Sequence, residues 1–137
     1  MPRLEDFAGD WALLRVIDDA RGGHAARLEG RARFVPDAGG LAYEETGLLS
    51  LPGQPPMEAT RRYLWRAASA GIEVFFEDGR FFHLIGPGAR PEARHDCPPD
   101  RYVVAYDFSH WPDWSTRWRV EGPRKDYAMR SDYRPAR

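Results

Sequence analysis

Lysine and cysteine are almost missing from this chain of 137 residues. Among its 20 basic residues only Lys125 is a lysine, so the other 19 are arginines. The single cysteine, Cys97, excludes an internal disulfide framework and is typical of a reducing cytoplasm. At this length one domain, spanning residues 1–137, can bury a core of its own without such cross-links.

A surplus of charge and a long hydrophobic run are also missing. The 20 basic residues face 21 acidic ones, and the net charge of −1 gives no global field that attracts nucleic acid or an anionic membrane. No run approaches the roughly 20 apolar residues that span a bilayer, and the first residues, MPRLEDFAGDW, lack the apolar stretch of a signal peptide. We therefore expect a soluble, cytoplasmic protein without a nucleic-acid or membrane partner.

Helical periodicity is scarce, whereas apolar and polar residues alternate at period two from Ala26 to Tyr133. Short turns divide this pattern into nine or ten segments, and residues 2 to 8 can form a short helical turn before them. Sequential antiparallel strands of that number close most economically into an up-and-down barrel. The sequence predicts an all-β fold, a single closed or nearly closed antiparallel barrel.

The two hairpins with the clearest turns define which side chains point inward. The last hairpin turns at Gly122-Pro123. Its first strand places Trp114 and Trp118 inward, and its second strand places Lys125 and Tyr133 inward. The central hairpin turns at Asp78-Gly79, a pair suited to a type I′ turn. A two- or four-residue loop pairs Phe76 with Phe81, Val74 with His83 and Ile72 with Ile85, and a three-residue loop would reverse one strand. This register turns three apolar side chains outward as a patch for a homodimer: Phe75, Phe82 and Leu84.

The inward positions form a polar, tyrosine-rich interior that a packed core would hardly choose, because an unpaired buried charge costs several kcal/mol. Small inward residues leave space, and the simplest register sets Gly30 across from Glu45. Since three inward cations face one inward carboxylate, we expect an anionic amphipathic ligand. The predicted ligand-binding residues are Arg15, Tyr43, Glu45, Arg61, Tyr63, Trp65, His83, Tyr102, Tyr106, Trp118, Lys125 and Tyr127.

Other interpretations stay open beside ligand binding. Glu45 and Arg61 can neutralise each other in a barrel that is merely packed or filled with water. Zinc could use His83, His95 and Cys97, and a haem could use His83 as an axial ligand. A His95–Cys97 pair could activate a thiolate, and Lys125 with Tyr127 could do acid–base work beside Glu45. Because no nucleophile motif, metal motif or phosphate-cradling loop accompanies them, we predict no catalytic residue, metal or cofactor.

Gly9-Asp10-Trp11, after a short helical turn, resembles the first-strand G-x-W motif of the lipocalin and calycin superfamily. In that superfamily the tryptophan closes the barrel floor, and a late arginine commonly packs across it. Asp126-Tyr127 is similar to the second lipocalin motif, although here it opens the last strand. Over nearly its full length, and especially in WRV and GPRKDY, the chain resembles an uncharacterised bacterial family of small lipocalin-like barrels. The resemblance implies the barrel fold and brings no established activity.

Overall fold

The computed structural model of the protein describes residues 2–136, which form ten antiparallel strands after one 3₁₀ turn, Leu4–Phe7. The prediction of an all-β fold with a short helical turn at the start is confirmed. No helix in this part of the chain has the length and apolar character needed to cross a membrane. The strands are β1 (Gly9–Asp19), β2 (His24–Asp37), β3 (Gly40–Ser50), β4 (Met57–Ala68), β5 (Gly71–Phe76), β6 (Phe81–Ile85), β7 (Glu92–Cys97), β8 (Asp100–Asp107), β9 (Trp114–Glu121) and β10 (Asp126–Pro135).

The strands form a meander that is nearly closed into a barrel. Each strand from β1 to β6 pairs with the next, β7 to β10 do the same, and β1 pairs with β10. Among the described strands, only β6 and β7 are neighbours in the barrel wall without a backbone ladder between them. Side chains alone close this seam.

The central hairpin has a register shift that the sequence did not predict. Ile72 pairs with Ile85 and Val74 with His83, as expected, but the ladder then slips and Phe75 pairs with Phe81. Because the side-chain period of a strand is two, this bulge turns Phe82 inward and Phe81 outward. Phe82 is 1% exposed and Phe81 is 48% exposed. The predicted outward position of Phe82 and inward position of Phe81 are therefore wrong.

Gly30 does not lie across from Glu45. It pairs with Gly47, and Glu45 pairs with Ala32 on one side and Arg61 on the other. A Cβ atom added at Gly30 would overlap the Thr46 carbonyl oxygen. Glycine at this position therefore allows close approach of β2 and β3, and the space that the sequence suggested is filled by backbone.

Phe7 of the 3₁₀ turn is the centre of an aromatic cluster that fills one end of the barrel. Its ring contacts those of six residues at centroid distances between 5.0 and 6.5 Å: Trp11, Phe34, Trp65, Phe108, Trp111 and Trp114. Trp11 also donates an indole hydrogen bond to the Phe7 carbonyl at 2.8 Å. Trp11 thus helps to close this end, as the G-x-W resemblance implied. None of the cation–π contacts of residues 2–136 involves Trp11, so the arginine that the resemblance implied is not stacked on its ring.

Candidate functional site

Three layers of side chains fill the interior from one end of the barrel to the other. The Phe7 cluster fills one end, and a second aromatic cluster surrounds Phe82 toward the other. Polar side chains lie between them, and they come from inward positions of β1, β3, β4, β6, β8, β9 and β10. The Phe82 ring lies within 6 Å of the ring centroids of Tyr63, Phe76, His83, His95, Tyr102 and Trp118.

The strongest polar feature of the middle layer is an ion pair between Arg15 and Glu45. The two guanidinium nitrogens of Arg15 donate to the two carboxylate oxygens of Glu45, at 2.5 and 2.9 Å. The third nitrogen, Nε, donates to Ser131 Oγ at 2.7 Å. Burial alone would raise the pKa of Glu45, but the hydrogen bonds and charge of Arg15 outweigh burial and lower it. Arg15 and Glu45 therefore neutralise each other within the interior.

Two tyrosines extend this network. Tyr43 Oη donates to Glu45 Oε1 at 2.5 Å, and the Tyr43 and Tyr133 hydroxyls lie 2.8 Å apart. Since Tyr43 gives its proton to the carboxylate, Tyr133 is the donor in the second bond. Burial raises the pKa of both phenols, so both are neutral at physiological pH.

Arg61 is the second cation of the interior, and it lacks the ion pair that Arg15 has. Its guanidinium lies 5.6 Å from the centroid of the Trp118 ring and donates to the Tyr63 hydroxyl at 3.3 Å. Within residues 2–136, no carboxylate comes within ion-pair distance of it. Burial alone would lower the pKa of Arg61, but Tyr63 and Glu45 nearby leave that pKa raised, so the side chain keeps its charge.

His83 closes the seam between β6 and β7 from the inside. Its Nε2 atom lies 2.8 Å from the Tyr106 hydroxyl on β8, which reaches past β7. Burial lowers the pKa of His83 to about 3, and electrostatic interaction with the nearby His95 side chain lowers this pKa further. His83 is therefore a neutral imidazole at physiological pH, with one donor nitrogen and one acceptor nitrogen.

A cavity of about 30 Å³ lies inside the barrel among these groups, which is room for about two water molecules. The structure brings nine of the twelve predicted ligand-binding residues to its wall: Arg15, Tyr43, Glu45, Arg61, Tyr63, Trp65, His83, Tyr106 and Trp118. The wall also includes four residues that the prediction omitted: Val74, Trp114, Thr116 and Tyr133. All four could have been found: Trp114 and Thr116 share the face of Trp118, and Tyr133 shares that of Tyr127. Val74 pairs with His83, as the sequence predicted.

The other three predicted residues lie outside the cavity wall. Tyr102 packs against Phe82 and Trp118, with ring centroids 5.6 and 6.2 Å apart. Tyr127 is half-buried on β10. Lys125 does not point inward as predicted: it lies in the turn before β10, is exposed, and pairs with Asp100 at 3.1 Å. Its Nζ atom also lies 3.4 Å from the Tyr102 hydroxyl, so Lys125 belongs to the rim of the barrel.

The residues of the alternative chemistries are dispersed. His95 packs edge-on against Phe82 at 5.3 Å, and Cys97 is exposed. In the described part of the chain, no three His, Cys, Asp or Glu side chains come together in a way that could hold a metal ion. Glu45 is occupied by Arg15 and Tyr43, while Lys125 is paired with Asp100 at the rim. Among the described residues, the interior thus offers one cation without a carboxylate partner, several neutral hydroxyls and aromatic walls.

Together these features describe a small lipocalin-like barrel with a polar interior layer. The chain belongs to the family of unknown function DUF6314, whose profile matches residues 7–135. No curated protein matches the chain. Among solved structures, an S-type phycobiliprotein lyase from Guillardia theta is similar, with a TM-score of 0.68 and 7% sequence identity. The match covers 98% of this chain and 90% of the lyase chain, and at this identity it shows a common fold.

Proposed function

We propose that this protein binds a small anionic molecule inside the barrel and that Arg61 accepts its negative charge. The observation behind this proposal is the different pairing of the two interior arginines. Glu45 neutralises Arg15, whereas Arg61 has a phenol and an indole face as its nearest partners. A partly buried cation without a counter-charge is costly, and an anionic ligand would remove that cost.

The surroundings of Arg61 suit a carboxylate attached to an apolar body. The guanidinium offers a planar fork of donors that matches the two oxygens of a carboxylate. Trp118 and the Phe82 cluster provide aromatic surface beside it. An anionic amphipath would therefore place its charge on Arg61 and its apolar part against these rings. Likeness to a phycobiliprotein lyase supports the use of this barrel shape for holding another molecule.

The size of the cavity limits how such a ligand enters. About 30 Å³ is too little for an amphipath, so the wall must move to admit one. The β5–β6 hairpin is the segment that can move at least cost, because β6 has no backbone ladder to β7. Phe82, on this hairpin, occupies the space beside Trp118. Outward displacement of the hairpin's turn end, from Phe76 to Phe82, would enlarge the cavity next to Arg61 and leave His83 in place.

Fluorescence titration tests the proposal, because Trp118 lies under Arg61 and reports on ligands bound there. We expect 4-phenylbutyrate to quench tryptophan emission with saturation and the neutral 4-phenylbutanamide to bind far more weakly. Arg61→Met keeps much of the side-chain volume and removes the charge. It should weaken 4-phenylbutyrate binding by about 1.5–3 kcal/mol, the range of a hydrogen bond to a charged group.

Two matched variants serve as controls. Arg62→Met removes an outward arginine of the same strand, paired with Glu44 and Glu77, and should leave affinity unchanged. Lys125→Met should reduce affinity less than Arg61→Met, since Lys125 is exposed and already paired with Asp100. Equal affinity for the acid and the amide, or full affinity in Arg61→Met, would refute the proposal.

A further inference from the structure

Two buried nitrogen atoms, His83 Nδ1 and Trp114 Nε1, have no hydrogen-bond partner within the described chain. Buried polar groups in folded proteins are nearly always paired, and leaving one unpaired costs about 1–3 kcal/mol. Both residues line the central cavity. Because both residues line the same small cavity, we expect a ligand group there to supply the missing hydrogen-bond partner.

Neither side chain can readily change its orientation. Trp114 stacks on Tyr133 with a centroid distance of 3.9 Å and an interplanar angle of 5°. Tyr106 lies between the two orphan groups: its ring is 6.4 Å from Trp114 and 5.7 Å from His83. The hydrogen bond between the Tyr106 hydroxyl and Nε2 fixes the His83 ring. The unpaired nitrogens are therefore held in place by close packing.

The chemistry of the two nitrogens defines this ligand group. An indole N–H is a donor only, and the neutral His83 leaves its Nδ1 as either an acceptor or a donor, depending on the tautomer. The charges deep in the cavity already cancel through Arg15 and Glu45. A hydroxyl group is neutral, accepts from Trp114 Nε1 and can exchange a hydrogen bond with His83 Nδ1 in either tautomer.

We propose that the cavity between His83 and Trp114 is a second binding subsite, which holds a hydroxyl group of the ligand. The inference rests on the proposed function and specifies its ligand as a hydroxylated organic acid. Arg61 stacks on Trp118. Trp114 lies four residues earlier in β9, so the Cα atoms of the two tryptophans are about 13 Å apart along an extended strand. The hydroxyl and the carboxylate therefore lie at opposite ends of the ligand.

A matched pair of acids tests the subsite: 4-(4-hydroxyphenyl)butyrate and 4-phenylbutyrate share the carboxylate and differ by one distal hydroxyl. We expect the hydroxylated acid to bind the wild-type protein about tenfold more tightly, as one well-placed hydrogen bond allows. Trp114→Phe and His83→Phe should each reduce this ratio to about one. Arg61→Met should weaken binding of both acids and preserve the ratio.

A nuclear magnetic resonance titration gives a readout that does not depend on the folding of the variants. The Trp114 indole N–H signal should move downfield with the hydroxylated acid and stay in place with 4-phenylbutyrate. If neither acid binds, the proposed function and the subsite both fail. If both bind with equal affinity and the Trp114 signal does not move, a structural water alone occupies the cavity and only the subsite is refuted.

Discussion

Arg15 on β1 and Glu45 on β3 form a two-pronged ion pair across the inside of the barrel, over the intervening strand β2. Both are almost fully buried, at 4% and 2% exposure. Ser131 Oγ accepts a hydrogen bond from the third Arg15 nitrogen, and the Tyr43 hydroxyl donates a hydrogen bond to Glu45. A buried ion pair is tolerated only when its hydrogen bonds are completed in this way. The pair therefore supports the wall, whereas Arg61 has no carboxylate within ion-pair distance among residues 2–136.

Removal of one partner of this ion pair should be strongly destabilising, because the other charge then stays buried without compensation. We expect Glu45→Gln to lower the free energy of unfolding by about 3–5 kcal/mol, measured by urea denaturation. The double variant Arg15→Met/Glu45→Leu should recover much of that loss. Asp132→Asn, which breaks the exposed pair with Arg130, should cost at most about 1 kcal/mol. A loss in Glu45→Gln no larger than in this control would contradict the prediction.

Gly30 should tolerate no side chain, because a Cβ atom there would overlap the backbone of Thr46 and Gly47. We expect Gly30→Ala to destabilise the protein by about 1–3 kcal/mol as β2 and β3 are pushed apart. Gly86→Ala is the matched control, since a Cβ at Gly86 meets no atom within 4 Å. Thermal denaturation of both variants measures the difference. Equal melting temperatures would show that β2 and β3 can separate freely.

The inward faces of most strands could be predicted from the sequence, because alternation shows which residues of a strand share a face. It does not show which residues pair between neighbouring strands. Tyr43, Glu45 and Trp65 were expected inside, and all three are buried. The same alternation brought His83 and Arg61 to one cavity wall. Period two is a property of every extended strand, so this inference needs no knowledge of which residues pair across strands.

Register, turns and bulges could not be read in the same way. Gly30 was placed two residues from its true partner, because alternation is equally satisfied by any shift of two. The bulge at Phe81-Phe82 reverses parity, and nothing in a run of two phenylalanines marks which one faces the core. Lys125 was expected to continue the face of β10, yet the strand begins one residue later. The ion pair joins Lys125, in the turn before β10, to Asp100, the first residue of β8. Alternation within a strand does not predict such a contact.

The exchange of Phe81 and Phe82 provides a matched test of the bulge and of ligand entry. Phe82→Ala should lower the free energy of unfolding by about 3–5 kcal/mol, whereas Phe81→Ala, at an exposed position, should change it by about 0.5 kcal/mol or less. The space left by Phe82 lies beside Trp118 and should accept an alkyl chain. We therefore expect decanoate to raise the melting temperature of Phe82→Ala more than that of the wild type. Similar losses in both variants would contradict the register, and no added effect of decanoate would contradict this entry route.

His83 should make the protein less stable as the pH falls below neutrality. Burial lowers its folded-state pKa to about 3, whereas an exposed histidine in the unfolded chain titrates near pH 6.5. Above that pH both states are neutral. Between the two pKa values only the unfolded state binds the proton, so stability falls with decreasing pH by about 1.4 kcal/mol per unit.

Urea denaturation between pH 7.5 and 5 measures this effect above the range in which carboxylates titrate. We expect the wild type to lose about 2 kcal/mol between pH 7.5 and 5, and His83→Phe to show a nearly flat profile there. His24→Gln, at an exposed position, should behave as the wild type. A wild-type profile as flat as that of His83→Phe would mean that His83 accepts a proton inside the folded barrel. The His83–Tyr106 hydrogen bond would then persist with an imidazolium donor, and the neutral subsite inferred from these residues would be lost.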